Sequence, residues 1–276
     1  MREDKFLDYK VQWFESLSEI ADYIDNTKEL REYSLTKESE LSVGGGFYGV
    51  TKFDGLTDRL RYGDKKVTQM YISKLKSLVP EGDSNTGINM DIEGFAYDMG
   101  AVVSGEPECC VRMDAPDTKP ALKIFIDTGY NGGVHPDVIA NRGVAILQLI
   151  SNLLSRGYIL DVNVIHFIDT STGARVAQCV KLSTDFLTTS QLAFTGTCEF
   201  FRIITWLLTA IQIGCKGYTG SGCSRPSTAV INEFKKDGLY IPSGYTSSFF
   251  NHCSLNEAID EVAKIYNKYA EEKQCK

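Results

Sequence analysis

Apolar and polar positions along the chain fall into two stretches of unequal clarity, and the second is the clearer. Leu122-Lys-Ile-Phe-Ile126 is an apolar run of strand length that ends in a polar, glycine-rich loop, Asp127-Thr-Gly-Tyr-Asn-Gly-Gly133. A helix is predicted to open near His135-Pro136, with Ile139, Gly143, Ile146, Leu147, Ile150 and Leu154 on one face and Gly157 as its C-cap. Tyr158–Ile168, rich in β-branched residues, reads as a strand, and Asp169–Ala174 as a tight turn. Val176, Cys179 or Val180, and Leu182 then alternate along the return strand of an antiparallel hairpin. Thr184–Thr197 reads as a threonine-rich loop. Cys198–Ile213 reads as a helix apolar on almost every side, which belongs in a core. After a glycine-rich loop over Gly214–Ser227 come a short helix near Val230–Lys236, a strand at Leu239–Pro242 and a final helix. Leu255, Ile259, Val262, Tyr266 and Tyr269 give that helix a four-three rhythm.

The N-terminal stretch is more polar. Tyr9–Phe14 resembles a short strand, and Ser16-Leu-Ser-Glu19 forms a capping-box pattern ahead of Ile20, Tyr23 and Ile24. Helices are predicted over Thr51–Tyr62, where Leu56 and Leu60 stand four apart, and over Val67–Val79; Pro80–Gly87 breaks the chain. Ile88–Val111 mixes glycine with short apolar groups, and Met113–Pro120 reads as a linker. These patterns place a boundary near residue 118. They predict an α/β protein: an α+β N-terminal region (1–118) packed on a Rossmann-like, three-layer domain (119–276) with helices on both faces of its sheet.

Composition narrows the function classes. At 276 residues, 43% hydrophobic and 24% charged, the chain can bury a sizeable core without staples. A net charge of −7 with no block of Lys and Arg argues against non-specific nucleic-acid binding. The eight cysteines are scattered, a pattern of buried thiols in a reducing compartment. No secretory signal stands at the N-terminus, and the best membrane candidate, Phe200–Ile213, is too short and carries Arg202. These features lead to the expectation of a cytoplasmic protein without a membrane partner.

Four constellations bear on chemistry. Gly44-x-Gly46-x-x-Gly49 matches the dinucleotide string but lacks the preceding strand and the later acid that the motif needs. Asp127-x-Gly129-x-Asn131 offers oxygen ligands at a strand's carboxyl end, where Mg²⁺ or Ca²⁺ can bind and where Thr195 or Thr197 can add a hydroxyl. The alternative is that Asp127 caps the turn and the helix start. Gly217–Arg225 offers backbone N–H groups and one cation, Arg225, to a phosphate, or is a plain surface loop. His135, His166 and His252 show no local zinc spacing; His135 reads as a helix-entry residue and His166 as a satisfied imidazole in a strand.

The element order over residues 121–275 resembles the von Willebrand factor A domain, whose metal motif is Asp-x-Ser-x-Ser with a later Thr and Asp. Gly129 and Asn131 stand where that motif has its serines, so one hydroxyl is lost and the other becomes an amide. Gly44-Gly-Gly-Phe-Tyr-Gly49, Gly105-Glu-Pro-Glu-Cys109 and Asn141-Arg-Gly143 together resemble an uncharacterised family of bacteriophage-encoded proteins, which implies a phage source and the host cytoplasm. The leading expectation is a non-enzymatic recognition protein that binds a protein partner through the loop edge formed by 127–135, 184–197 and 214–227. Its ligand-binding candidates are Asp127, Gly129, Asn131, Thr195, Thr197 and Arg225, and its metal candidates Asp127, Asn131 and Thr195. No cofactor is expected apart from Mg²⁺ at that loop. The alternative is an enzyme or sequestering protein for a phosphorylated small molecule or nucleotide, with a divalent cation near Asp127.

Overall fold

A computed structural model describes residues 1–27, 55–76, 88–91, 96–97, 110–113, 121–156, 158–170, 173–182, 189–213 and 224–274. The glycine string at 44–49 and the loop over 214–223 lie outside the described residues.

The described strands form a six-stranded mixed sheet and a smaller three-stranded one. In chain order the large sheet contains β1 (Arg2–Phe6), β2 (Tyr9–Phe14), β6 (Leu122–Asp127), β7 (Leu160–Asp169), β8 (Arg175–Leu182) and β9 (Leu239–Ile241), arranged in space as β1-β2-β8-β7-β6-β9. The small sheet pairs β3 (Ile88–Asp91) and β4 (Ala96–Tyr97) with β5 (Cys110–Met113), all antiparallel. β6 is an interior strand with parallel neighbours on both sides, β7 and β9. The β7–β8 hairpin is antiparallel, β2 joins β8 in parallel, and β1 returns antiparallel to β2. Residues on both sides of position 118 therefore share one sheet. The N-terminal hairpin is an edge of it, because Val11 and Trp13 continue the buried row of Ala177 and Cys179.

The helices are α1 (Leu17–Asn26), α2 (Leu56–Tyr62), α3 (Lys65–Lys76), α4 (Pro136–Ser155), α5 (Thr189–Thr195), α6 (Thr205–Gln212), α7 (Thr228–Asp237) and α8 (Leu255–Gln274). Ser16 caps α1 by accepting from the Glu19 N–H at 3.1 Å, and the Glu19 carboxylate accepts from the Glu15 N–H at 2.7 Å. This is the reciprocal bonding that the Ser-x-x-Glu spacing predicts, displaced by one residue on the return bond. One face of the sheet, with Ile124, Ile126, Val162, Val164, Val180 and Ile241, shares a core with α1, α2, α4, α5, α6 and α8. On the opposite face Phe125, Ile165, Phe167 and Tyr240 pack with Val230 and Phe234 of α7. Strand β6 divides its side chains between the two cores by simple alternation.

Two of the differences from the sequence reading bear on the site. Part of the threonine-rich stretch is helix α5, because Leu192, Ala193 and Phe194 are buried and Thr195 Oγ1 donates to the Leu192 carbonyl at 2.8 Å. Burial of that apolar run outweighs the weak helix preference of Thr and Ser. The apolar helix predicted from Cys198 is interrupted by a π-helical turn, Phe200–Ile204, before α6 resumes. All five residues of that turn are buried, Arg202 included.

Candidate functional site

The site is built where β6, β7 and β9 end. Asp127 is the last residue of β6 and is 1% exposed. Its Oδ2 accepts hydrogen bonds from Tyr240 Oη at 2.8 Å, Ser243 Oγ at 2.9 Å and Thr246 Oγ1 at 2.7 Å, and its Oδ1 accepts the Gly129 N–H at 3.0 Å. Three donors crowd Oδ2 and one engages Oδ1, so the carboxylate is largely satisfied from within the protein. The segment after β9 crosses the end of β6 and is tied down by a bond from the Tyr245 N–H to the Gly129 carbonyl at 3.0 Å. Asp127, Thr128, Gly129 and Tyr130 are buried in consequence, and only Asn131, Gly132 and Gly133 of the loop reach solvent. The expectation that Asp127 and Gly129 stand on an open rim is thus corrected: the carboxylate is an interior bracket between two strand ends.

Two buried arginines hold the same loop from below. Arg142, on α4, donates through Nη2 to the Asp127 carbonyl at 2.8 Å and the Ile241 carbonyl at 3.2 Å, and its guanidinium lies 5.2 Å from the centroid of the Phe250 ring. Arg202, in the π-helical turn, donates to the carbonyls of Val134 at 2.7 Å and Gly132 at 3.0 Å. Charged donors on carbonyls are among the stronger protein hydrogen bonds, and burial removes the competing water. Beside them His166 shares a 3.2 Å hydrogen bond with Thr128 Oγ1. Burial pushes its imidazole down to about 3, so the ring is neutral across the physiological range. Burial also pushes the Tyr130 and Tyr240 hydroxyls above the ordinary phenol range, with Asp127 adding to the shift at Tyr240.

The accessible part lies just above this polar layer. Asn131, Gly133, Val134, His135 and Val138 form one side of a cleft of about 550 Å³, and Asn251 and His252 form the other. His135 is the N-cap of α4 and accepts the Asp137 N–H at Nδ1, 3.3 Å away, so its role as a helix-entry residue is structural as well as positional. Asn251 is fixed by donation from its Nδ2 to the Gly244 carbonyl at 2.9 Å.

The remaining sequence candidates lie elsewhere. Thr195 and Thr197 are buried, with hydroxyls spent on the Leu192 and Phe194 carbonyls, and the intervening Gly196 packs on Gly143 of α4. Their bonding is to their own helix turns and not to Asp127. Asn131 does reach the cleft, whereas Arg225 is exposed on the approach to α7 and the loop before it lies outside the described residues. Among the described residues no group of three or more His, Cys, Asp and Glu is arranged to hold a metal ion. Cys179, Cys198 and Cys253 are buried thiols outside any disulfide, and burial pushes Cys198 up to about 11. Among the described residues no helix is long and apolar enough to cross a membrane. Sequence reasoning missed Arg142, Tyr240, Ser243, Thr246, Asn251 and His252 as members of this region. It noted Arg202 only as a charge that disqualifies a membrane span, although a lone cation in an apolar helix is also a signal for buried acceptors.

Residues 7–267 match the model of a family described as a domain of unknown function, DUF7192. No curated protein and no solved structure matches the chain.

Proposed function

We propose that this chain, which belongs to the DUF7192 family, is a non-enzymatic, phage-encoded recognition protein that binds a protein partner through the loop edge of its α/β sheet. The observation that carries this reading is the stiffness of that edge. Carbonyls at 127, 132, 134 and 241 are clamped by Arg142 and Arg202, while Asn131, Gly133 and His135 stand clear beside Asn251 and His252. A pre-organised polar loop beside a cleft loses little ordering entropy when it binds. The strongly shifted groups His166, Glu199, Tyr71, Tyr240 and Cys179 are buried and none of them lines the cleft, which fits display more than chemistry. We read the layers as Rossmann-like, with the element order of a von Willebrand factor A domain. What supports that reading is the parallel set β9-β6-β7, whose carboxyl ends meet at this edge.

Gly133→Arg tests the proposal, because an added Cβ at Gly133 meets open space and the longer side chain fills the cleft. A partner retained by the immobilised wild-type protein is expected to be lost by Gly133→Arg and kept by Glu272→Arg, at the far end of α8. Equal retention by Gly133→Arg overturns the reading. The cleft's volume and position also suit the second reading, a phosphorylated small molecule or nucleotide. The burial of Asp127 and the four hydrogen bonds it accepts within the protein weigh against the cation in that version. A saturable rise in melting temperature with a nucleotide or Mg²⁺, reversed by EDTA in the case of the metal, favours the second reading over the first.

A further inference from the structure

A second pocket, of about 310 Å³, opens on the other face of the sheet, toward the amino-terminal ends of β6 and β7. Its floor is set by strand register: Lys123 pairs with Asp161 and Phe125 with Asn163, so these four side chains form a square on one face. The last turns of α7 supply Glu233, Phe234 and Asp237 as one wall, and Phe6 and Trp13 supply the other. Phe234 is the hinge of the aromatic lining, with its ring centroid 5.1 Å from that of Phe6 and 4.8 Å from that of Phe125.

We infer that this pocket is a binding site for an organic cation of side-chain size, an alkylammonium or guanidinium group, held between aromatic faces and carboxylates. Three observations converge. First, the lining carries three carboxylates against one lysine; Lys181 and Lys236, which pair with Asp161 and Glu233, do not line the pocket. Second, the chain already uses this chemistry at the same place. The Lys123 ammonium lies 2.8 Å from the Asp237 carboxylate and 5.8 Å from the centroid of Phe125, and the Arg2 guanidinium lies 5.6 Å from the centroid of Trp13. Third, Asn163 is only 7% exposed and lines the pocket. Its Nδ2 donates to the backbone and side-chain oxygens of Asp161, both at 3.3 Å, which fixes the amide and leaves Oδ1 as an acceptor for an incoming N–H. Exposed lysine pairs of this kind contribute little, so a ligand cation displaces Lys123 at small cost. The volume lies at the low end for ligand pockets and suits one side chain better than a larger molecule.

Trp13 makes the test direct. The chain has two tryptophans, Trp13 and Trp206, so Trp206→Phe leaves emission from the pocket alone. In that background, titration with N-acetyl-arginine amide, a peptide-borne cation, and with agmatine, a free one, is expected to change Trp13 emission saturably. N-acetyl-citrulline amide, of the same shape without the charge, is expected to do nothing. Glu233→Gln, at a solvent-exposed wall position, is expected to weaken binding by roughly threefold, and added salt to weaken it further. Saturation by either cation supports the site, and the pair shows whether the group must be carried on a peptide. Absence of a saturable response to both cations, equal response to citrulline, or indifference to both Glu233→Gln and Asp237→Asn overturns it. None of these outcomes depends on the loop-edge reading.

Discussion

Replacing Asp127 with alanine isolates the bracket that joins β6 to the segment after β9. In the parent the carboxylate accepts from Tyr240, Ser243, Thr246 and the Gly129 N–H. After truncation Ser243 and Thr246 still have each other, since their hydroxyls lie 3.0 Å apart and the Thr246 N–H reaches Ser243 Oγ at 3.3 Å. Tyr240, 4% exposed, keeps only the Thr246 hydroxyl, which Ser243 also engages, and the Gly129 N–H keeps no alternative. One buried donor stranded outright at about 2 kcal/mol and a second left to compete for Thr246 give an expected loss of roughly 3 kcal/mol. Asp127→Asn keeps the volume and one acceptor oxygen but turns an N–H₂ toward a donor on one side, for an expected loss of about 2 kcal/mol. Urea unfolding at constant slope measures both, with the midpoint reporting the change. An Asp127→Ala protein within about 1 kcal/mol of the parent refutes the bracket, because a loss that small is ordinary for a substitution away from any buried network.

Four further outcomes follow from the same structure. His166 has an ordinary pKa of 6.5 that burial lowers to about 3, so the stability it contributes is complete above 6.5 and is lost as pH falls from there toward 3. That contribution is expected to be about 2 kcal/mol smaller at pH 5 than at neutral pH, seen as the difference between the denaturation profiles of the parent and His166→Gln; parallel profiles refute it. Glu199, 2.6 Å from Arg59, acts in the opposite sense: burial outweighs the pull of Arg59 and sets its carboxyl up to about 7. Its contribution is complete below 4.5 and lost as pH rises through 7, and Glu199→Gln is expected to flatten that upper limb of the profile. Gly143→Ala places a methyl 2.9 Å from the Gly196 carbonyl and against the Tyr71 hydroxyl; overpacking of about 2 kcal/mol outweighs the gain in helix preference, and a raised melting temperature contradicts this. Arg202→Met removes the clamp on Gly132 and Val134, so amide exchange at 131–135 is expected to quicken more than exchange in β7, and uniform quickening contradicts a local clamp.

Local patterns carried much of the fold because they depend on neighbours in the chain. The α1 cap follows from Ser16 and Glu19, the α4 stripe from Ile139 to Ile150, and the β7–β8 hairpin from β-branched alternation around a tight turn. What a single pass misses is pairing across long separations. β2 joins β8 although more than 160 residues lie between Phe14 and Val180, and nothing in YKVQWF specifies that neighbour. Asp127 shows the same limit at one residue. Its position at a strand end and its polarity in an apolar run were both legible, yet whether such a group faces solvent or is enclosed depends on donors 113, 116 and 119 positions downstream.

Arg142 and Arg202 turn this into a more general reading. Each lies in a helix whose surroundings are apolar, Arg142 beside Val144 to Leu147 and Arg202 between Phe201 and Ile203. A guanidinium cannot shed its charge, so burial at 3% and 4% exposure obliges each to find several acceptors. Carbonyls at and just beyond strand ends can serve, since they have left the ladder and need donors of their own. Both arginines accordingly converge on the one loop that follows the interior strand β6. A lone arginine in an apolar helix therefore points to a fixed loop at a strand's carboxyl end. In this chain that signal locates the candidate edge more reliably than the acidic residue within the loop itself.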